Sequence, residues 1–246
     1  MSRRYLWALA LLLLLYSVRK MSSEHSHHHH HDFAAANQAL FDKHAHEADQ
    51  RPDAAEVASK ISEAILQAYS FDKDSTLVLD YACGTGIVAR NIVPHCKTYI
   101  GVDISQGMVD QFTKGAQAHG ISTDKMRAIR TELKGEDHEL DGTKFDVVMC
   151  SLAYHHIGDI LSVTRLLAFF LKPGGTLIVV DFPNMNAMTI PEEFSHSIAH
   201  RGGISESAIK EAYEAAGLGE FELVLFKGPK STMHPEDIFL AKGAKL

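Results

Sequence analysis

The chain has 246 residues, a formal net charge of −7, 46% hydrophobic residues, 22% charged residues and three cysteines. That size fits one α/β domain with appendages or two small domains, and the composition excludes a disordered or collagen-like chain. Cys83, Cys96 and Cys150 are widely spaced, with no CxxC pair, which argues against a zinc ribbon, a disulfide framework or a clustered iron–sulfur site.

The first 32 residues stand apart as an appendage. Tyr5 to Val18 is apolar except for Ser17, with Arg3 and Arg4 before it and Arg19 and Lys20 after it. As a helix it would span about 21 Å, against the roughly 30 Å of a bilayer core. It has neither the small-x-small cleavage site of a secretory signal nor the amphipathic pattern of a mitochondrial presequence. Two readings stay open. One is a membrane anchor, with the domain facing the cytosol; the other is an extension upstream of Met21 in a cytoplasmic protein. Six of the sixteen histidines fall within residues 25–31, which reads as a solvated spacer or a tag rather than a metal site. Removing Arg3, Arg4, Arg19, Lys20, Glu24 and Asp32 leaves 20 basic and 29 acidic residues, a net charge of −9 on residues 33–246. Such a surface is a poor partner for nucleic acid.

Residues 33–246 read as one domain. Ala54 to Ala68 places Val57, Ile61, Ala64, Ile65 and Ala68 on one helical face. Thr76 to Asp80 is a short buried strand. Gly84 and Gly86 turn the chain, and a helix opens over Ile87 to Ile92. Tyr99 to Asp103 is a second strand, and Gly107 to Ala118 a helix with Met108, Val109 and Phe112 inward. Met126 to Arg130 and Phe145 to Cys150 are strands three and four. A helix over Ile160 to Leu171 is stopped by Lys172-Pro173-Gly174-Gly175. Thr176 to Asp181 is strand five. Ser205 N-caps a helix to Ala216, with Ile204 and Ile209 as a hydrophobic staple and Gly217 as C-terminal cap. Phe221 to Phe226 and Ile238 to Ala241 form an antiparallel pair. Strands that alternate with helices and are nearly all apolar mean an α/β fold, a parallel sheet covered on both faces.

The most informative segment is Leu79-Asp80-Tyr81-Ala82-Cys83-Gly84-Thr85-Gly86. A strand runs into a glycine turn that opens a helix, so a ligand can approach the backbone there. Asp103, at the end of the next strand, stands where a carboxylate takes both hydroxyls of a ribose. Gly84, Gly86 and Ala89 formally fit a dinucleotide fingerprint. Asp80 opposes it, because a carboxylate beside the turn repels a pyrophosphate and favours a cationic ligand. S-adenosylmethionine, with a sulfonium and an ammonium and no phosphate, meets that requirement.

Three motifs in order, D-x-x-C-G-T-G after strand one, V-D-I-S after strand two and L-K-P-G-G-T-L before strand five, resemble the class I S-adenosylmethionine-dependent methyltransferases. Within these the chain is similar to the small-molecule branch of ubiquinone/menaquinone-biosynthesis-type enzymes, over residues 38–243. The resemblance implies a Rossmann-like seven-stranded sheet of order 3-2-1-4-5-7-6, with strand seven antiparallel. It implies that Asp80, Gly84 and Gly86 line the methionine end of the cofactor, with Ala82 and Cys83 also in the cofactor site. Asp103 would hold the ribose, Ile104 would flank the adenine, and Met108 would also belong to the cofactor site. Glu132 would meet the adenine amino group, and Ser151 would lie near the cofactor from strand four. Cys83 otherwise reads as a small buried residue, not a nucleophile.

Phe41 to Asp49 resembles the helix that covers the cofactor in this family. There Ala48 replaces a Trp or Tyr, which predicts a looser cover or an aromatic from elsewhere. Tyr154, His155 and His156 follow strand four, beside the transferring methyl. His156 matches the family position better than His155, and either could take a proton from an acceptor. Alternatively, one of them satisfies the loop backbone. Asp181, Phe182, Asn184 and Met185 are expected to edge the acceptor pocket, with Phe194, His196 and His200 in a lid or solvated loop. The expected function is methyl transfer to a small molecule through an O, N, S or C nucleophile, with no metal. The alternatives are a non-catalytic S-adenosylmethionine-binding scaffold and an NAD(P)-dependent oxidoreductase.

Overall fold

The structure is a computed structural model, and it describes residues 33–185, 192–229 and 235–246. The anchor and spacer readings of residues 1–32 fall outside the described residues. Among the described residues, no helix is long and apolar enough to cross a membrane.

Seven strands form one sheet: β1 (Leu77–Tyr81), β2 (Thr98–Asp103), β3 (Met126–Arg130), β4 (Phe145–Ser151), β5 (Leu171–Asp181), β6 (Leu218–Lys227) and β7 (Asp237–Lys245). Their order is β3-β2-β1-β4-β5-β7-β6. The first five pair in parallel, and β7 runs antiparallel to both β5 and β6. The helices are α1 (Phe33–His44), α2 (Ala54–Ala68), α3 (Ala89–Ile92), α4 (Gln106–Ala118), α5 (Ile160–Phe169), α6 (Glu192–Ser195) and α7 (Glu206–Ala215).

Side-chain alternation along each strand divides the core into two layers. Leu79, Val148 and Val179 point to the side packed by Val163 and Leu167 of α5 and Ile209 and Tyr213 of α7. Their neighbours Val78, Val147 and Ile178 point to the opposite side, against Ile61 and Ile65 of α2 and Phe112 of α4. Two covered faces explain why these strands carry so few polar residues. Each such side chain contributes about 1.5–3 kcal/mol on burial.

Three helices start where capping chemistry places them. Ser105, Asp159 and Ser205 accept from the backbone N–H of Met108, Ser162 and Ala208 respectively, each worth about 1 kcal/mol. Ile204 and Ile209 are both buried at the start of α7, as a hydrophobic staple requires.

Several element boundaries differ from the sequence expectation, and the last two strands run longer, over Leu218–Lys227 and Asp237–Lys245. The helix after the glycine turn is a single turn, Ala89–Ile92, followed by a 3-10 turn at Val93–His95 that contains Pro94. Helix α5 ends at Phe169 rather than Leu171, and Lys172 to Gly175 lies within β5 instead of outside it. The register of β4 against β5 shifts between Phe145 and Val147. A Cβ on Gly175 would lie 2.9 Å from the Phe145 carbonyl oxygen, so the glycines let the two backbones pass closely while the chain reverses.

The chain leaves β1 toward β2 and β3, then returns to β4 on the other side of β1. Loops at the carboxyl ends of β1 and β4 therefore diverge and open a crevice, the usual ligand position in a doubly wound sheet.

Candidate active site

A cavity of about 660 Å³ occupies that crevice, within the usual range for a small-molecule site. Its floor comes from the loops after β1, β2, β3 and β4. Its cover comes from the segment running from α1 through α2, with Phe194 of α6.

The floor begins with the turn after β1. Ala82, Gly84 and Gly86 have φ of 56°, 54° and 74°, three left-handed residues within five. At Ala82 that conformation costs roughly 1–2 kcal/mol, a strain of the kind concentrated at functional sites. At Gly84 a Cβ would meet nothing within 4 Å, whereas at Gly86 it would lie 2.5 Å from the Phe112 ring. Gly86 is thus required by packing, and Gly84 leaves space in the cavity. Cys83 packs across Gly101 of β2, and burial pushes its thiol well above the ordinary range. By surface exposure it is only part-buried, and it also lines the cavity.

Asp80 is 4% exposed and accepts a hydrogen bond of 2.8 Å from the Tyr99 hydroxyl. Burial raises its pKa to about 7, aided by the nearby Asp103 and opposed by the Tyr99 bond. Asp103 is also buried. One of its oxygens accepts from the Gly84 N–H and the other from the Ser105 N–H, both at 2.9 Å. Burial raises its pKa, against those backbone bonds. Each Asp103 oxygen keeps acceptor capacity. Ile104, Met108, Glu132 and Ser151 line the same cavity. Glu132 is an exposed lining residue, ion-paired to Lys134 at 2.8 Å. The strand-end loops contribute no Lys or Arg to the lining; Arg51, on the cover, does. Two buried carboxylates on a floor that carries no Lys or Arg suit a cationic nucleoside and disfavour a pyrophosphate there.

Asn37, Asp42 and Asp49 tie the cover down to the loops after β4, β2 and β1 in turn. The amide Nδ2 of Asn37 donates to the His156 carbonyl at 3.1 Å. The carboxylate of Asp42 accepts from the Ser105 hydroxyl at 2.6 Å and the Gly107 N–H at 2.9 Å. Burial acts upward on Asp42, but these bonds and Arg130 outweigh it and hold its pKa below the ordinary value. Asp49 accepts from the Thr85 hydroxyl and pairs with Arg90 at 2.8 Å, while Arg90 also donates to the Thr85 carbonyl. Ala48 lines the cavity, and the aromatic lining comes instead from Phe33, Phe41, Tyr81 and Phe194.

The two candidate histidines take different places. His156 lines the cavity, with the Phe41 ring edge-on at 5.1 Å. Its Nδ1 lies 2.8 Å from the Ser197 carbonyl, which only accepts, so Nδ1 carries the proton and Nε2 keeps its lone pair. Burial, with neighbouring His155, pushes its pKa down to about 3. His155 does not line the cavity. Its ring Nδ1 and its backbone N–H both bond Asp181, at 2.8 and 3.0 Å, and its carbonyl accepts from Ala199 and His200. Its ring bonds a carboxylate, whereas the His156 ring is the one that meets a loop backbone carbonyl.

Asp181, Phe182, Asn184 and Met185 are likewise absent from the described lining. Asp181 is fully buried and is occupied by His155 and the Phe182 N–H. Among the lid candidates, Phe194 lines the cavity. His200 instead sits 2.8 Å from the Ile157 carbonyl, and His196 is exposed. Asn37, Asp42 and Asp49 went unnoticed in the sequence, although the last two lie within the Phe41–Asp49 segment singled out there.

Residues 78–175, from β1 into β5, match the methyltransferase domain family. The chain carries a methyltransferase domain. An uncharacterized methyltransferase of Schizosaccharomyces pombe is 34% identical over 160 residues, 62% of this chain and 56% of that protein. The ubiquinone biosynthesis O-methyltransferase of Actinobacillus pleuropneumoniae serotype 5b is 29% identical over 100 residues, 41% of this chain and 43% of the other. The chain thus matches about half of these curated relatives' length. The crystal structure of magnesium protoporphyrin IX methyltransferase from Synechocystis, with bound S-adenosylhomocysteine, superposes with a TM-score of 0.65. That match covers 87% of this chain and all of the other at 15% identity, a likeness of fold. The methyltransferase domain match covers Asp80, the glycine turn and Asp103, and leaves α1, α2 and α6 outside it.

Proposed function

We propose that the chain transfers a methyl group from S-adenosylmethionine to a small-molecule acceptor. The observation that carries this is the pair of buried carboxylates, Asp80 and Asp103, around a left-handed glycine turn, with no Lys or Arg from the strand-end loops. Asp80 faces the positive methionine end, Asp103 takes the ribose hydroxyls, and Glu132 takes the adenine amino group. Ala82, Cys83, Gly84, Gly86, Ile104, Met108 and Ser151 shape the walls. Arg51 is the cation available for the cofactor's carboxylate.

When bound, the cofactor supplies an activated methyl on sulfur. The protein aligns the acceptor with that carbon and excludes water. The three tie points of the cover serve that exclusion. His156 lines the acceptor half and offers Nε2 as a hydrogen-bond acceptor that orients the attacking group. With its pKa near 3 it is a weak base, so the acceptor is one that ionises readily or loses its proton after attack.

The test is turnover of methyl-labelled S-adenosylmethionine with a panel of phenols, thiols and amines. Labelled product with at least one of them, lost in Asp80→Ala, is expected. Tight cofactor binding with no product from any acceptor would contradict catalysis.

A further inference from the structure

We infer that the acceptor half of the cavity is built for a hydrogen-bond donor, a hydroxyl or an amine on an apolar ring, and that Asn37 reads it. The inference rests on the methyltransferase reading and names its substrate class.

Asn37 is 7% exposed and lines the cavity. Its Nδ2 donates to the His156 carbonyl at 3.1 Å. A carbonyl only accepts, so the amide is fixed with its NH₂ toward His156 and Oδ1 away from it. That Oδ1 is buried and has no hydrogen-bond partner. Folded proteins seldom leave a buried acceptor unmet, because its desolvation goes uncompensated. A ligand donor would meet it.

Two further groups point to the same chemistry. The His156 ring gives its only proton to the Ser197 carbonyl, so Nε2 is a second acceptor, and burial keeps the ring neutral. The Asn37–His156 bond places these two acceptors on joined segments. Ser151 Oγ is also buried without a partner in the cavity lining, and a hydroxyl can donate to the oxygen or nitrogen that the other two accept from. A hydroxyl, with one proton, can donate to Asn37 or to His156 while accepting from Ser151, and an amine with two protons can donate to both, whereas a carboxylate or phosphate offers Asn37 and His156 nothing. Phe41 and Phe194 supply flat apolar wall.

The experiment titrates the full chain, loaded with S-adenosylhomocysteine, with three probes: 2-naphthol, its ether 2-methoxynaphthalene, and 2-naphthoate. Naphthol is expected to bind about tenfold more tightly than the ether, the scale of one hydrogen bond, and naphthoate more weakly than either. Asn37→Leu should erase the naphthol preference while S-adenosylhomocysteine still binds, the ratio of naphthol to ether affinity being the readout. Asn37→Asp, which still accepts, should keep it. If Asn37→Leu does not fold, the wild-type ranking and Asn37→Asp still decide. Naphthol binding no tighter than the ether, with S-adenosylhomocysteine bound, overturns this inference alone. Failure to bind S-adenosylhomocysteine overturns the methyltransferase reading as well.

Discussion

Asp80 links charge to function through its proton. Burial raises its pKa from 3.8 to about 7 in the folded chain, which favours the protonated form. The stability this provides is complete below about pH 4 and is lost as pH climbs through about 7. A cationic ligand reverses the preference by favouring the carboxylate. Affinity for S-adenosylhomocysteine, whose amino group is protonated, should therefore rise between pH 6 and pH 8 in calorimetric titrations. Asp80→Asn should flatten that rise and weaken binding. It should also stabilise the empty protein above pH 7 by about 1–3 kcal/mol, because the amide can still accept from Tyr99 without a buried charge. Urea unfolding at pH 8 measures the second effect, and a less stable variant would contradict the assignment. Asp103→Ala should cost about 1.5–3 kcal/mol of S-adenosylhomocysteine affinity, the scale of hydrogen bonds to a charged group. Unchanged affinity would refute its role at the ribose.

At the scale of elements, the cover is the part whose behaviour is most open to test. Asp49 holds the segment between α1 and α2 to the glycine turn through Thr85 and Arg90, and Asp42 holds α1 to the start of α4. The Arg90 pair is half exposed at Asp49, so its contribution to global stability is about 1 kcal/mol or less. Its effect on local opening is larger in proportion, because few contacts hold the segment. Asp49→Ala is expected to speed amide hydrogen exchange over residues 33–50 and weaken S-adenosylhomocysteine binding, while the unfolding midpoint moves little. Unaltered exchange there would show that α1 is held by its apolar contacts alone. Strands β1, β2, β4 and β5 were legible in the sequence because their two-sided burial leaves near-continuous apolar runs, and the glycine turn because left-handed backbone calls for glycine; β3, at the sheet edge, keeps only Met126 buried. Asn37 was not legible: its meaning depends on α1 folding back over a loop 119 residues away, and no local pattern encodes that. Asp181 misled for a related reason. A carboxylate at a strand end reads as a site residue until its face is known, and here it turns inward to His155.

At the scale of the whole molecule, the sheet order, the acidic surface and the cavity converge on one ligand type. A net charge of −7 disfavours polyanions at long range, and the paired carboxylates disfavour a pyrophosphate at short range. The glycine turn taken alone fits a dinucleotide as well as a nucleoside, so the distinction rests on Asp80. Titration calorimetry of S-adenosylhomocysteine against NADH on the full chain puts it to the test. Saturable binding of S-adenosylhomocysteine with no heat from NADH is the expected result. Binding of NADH without S-adenosylhomocysteine would contradict the assignment of this cavity to a sulfonium cofactor.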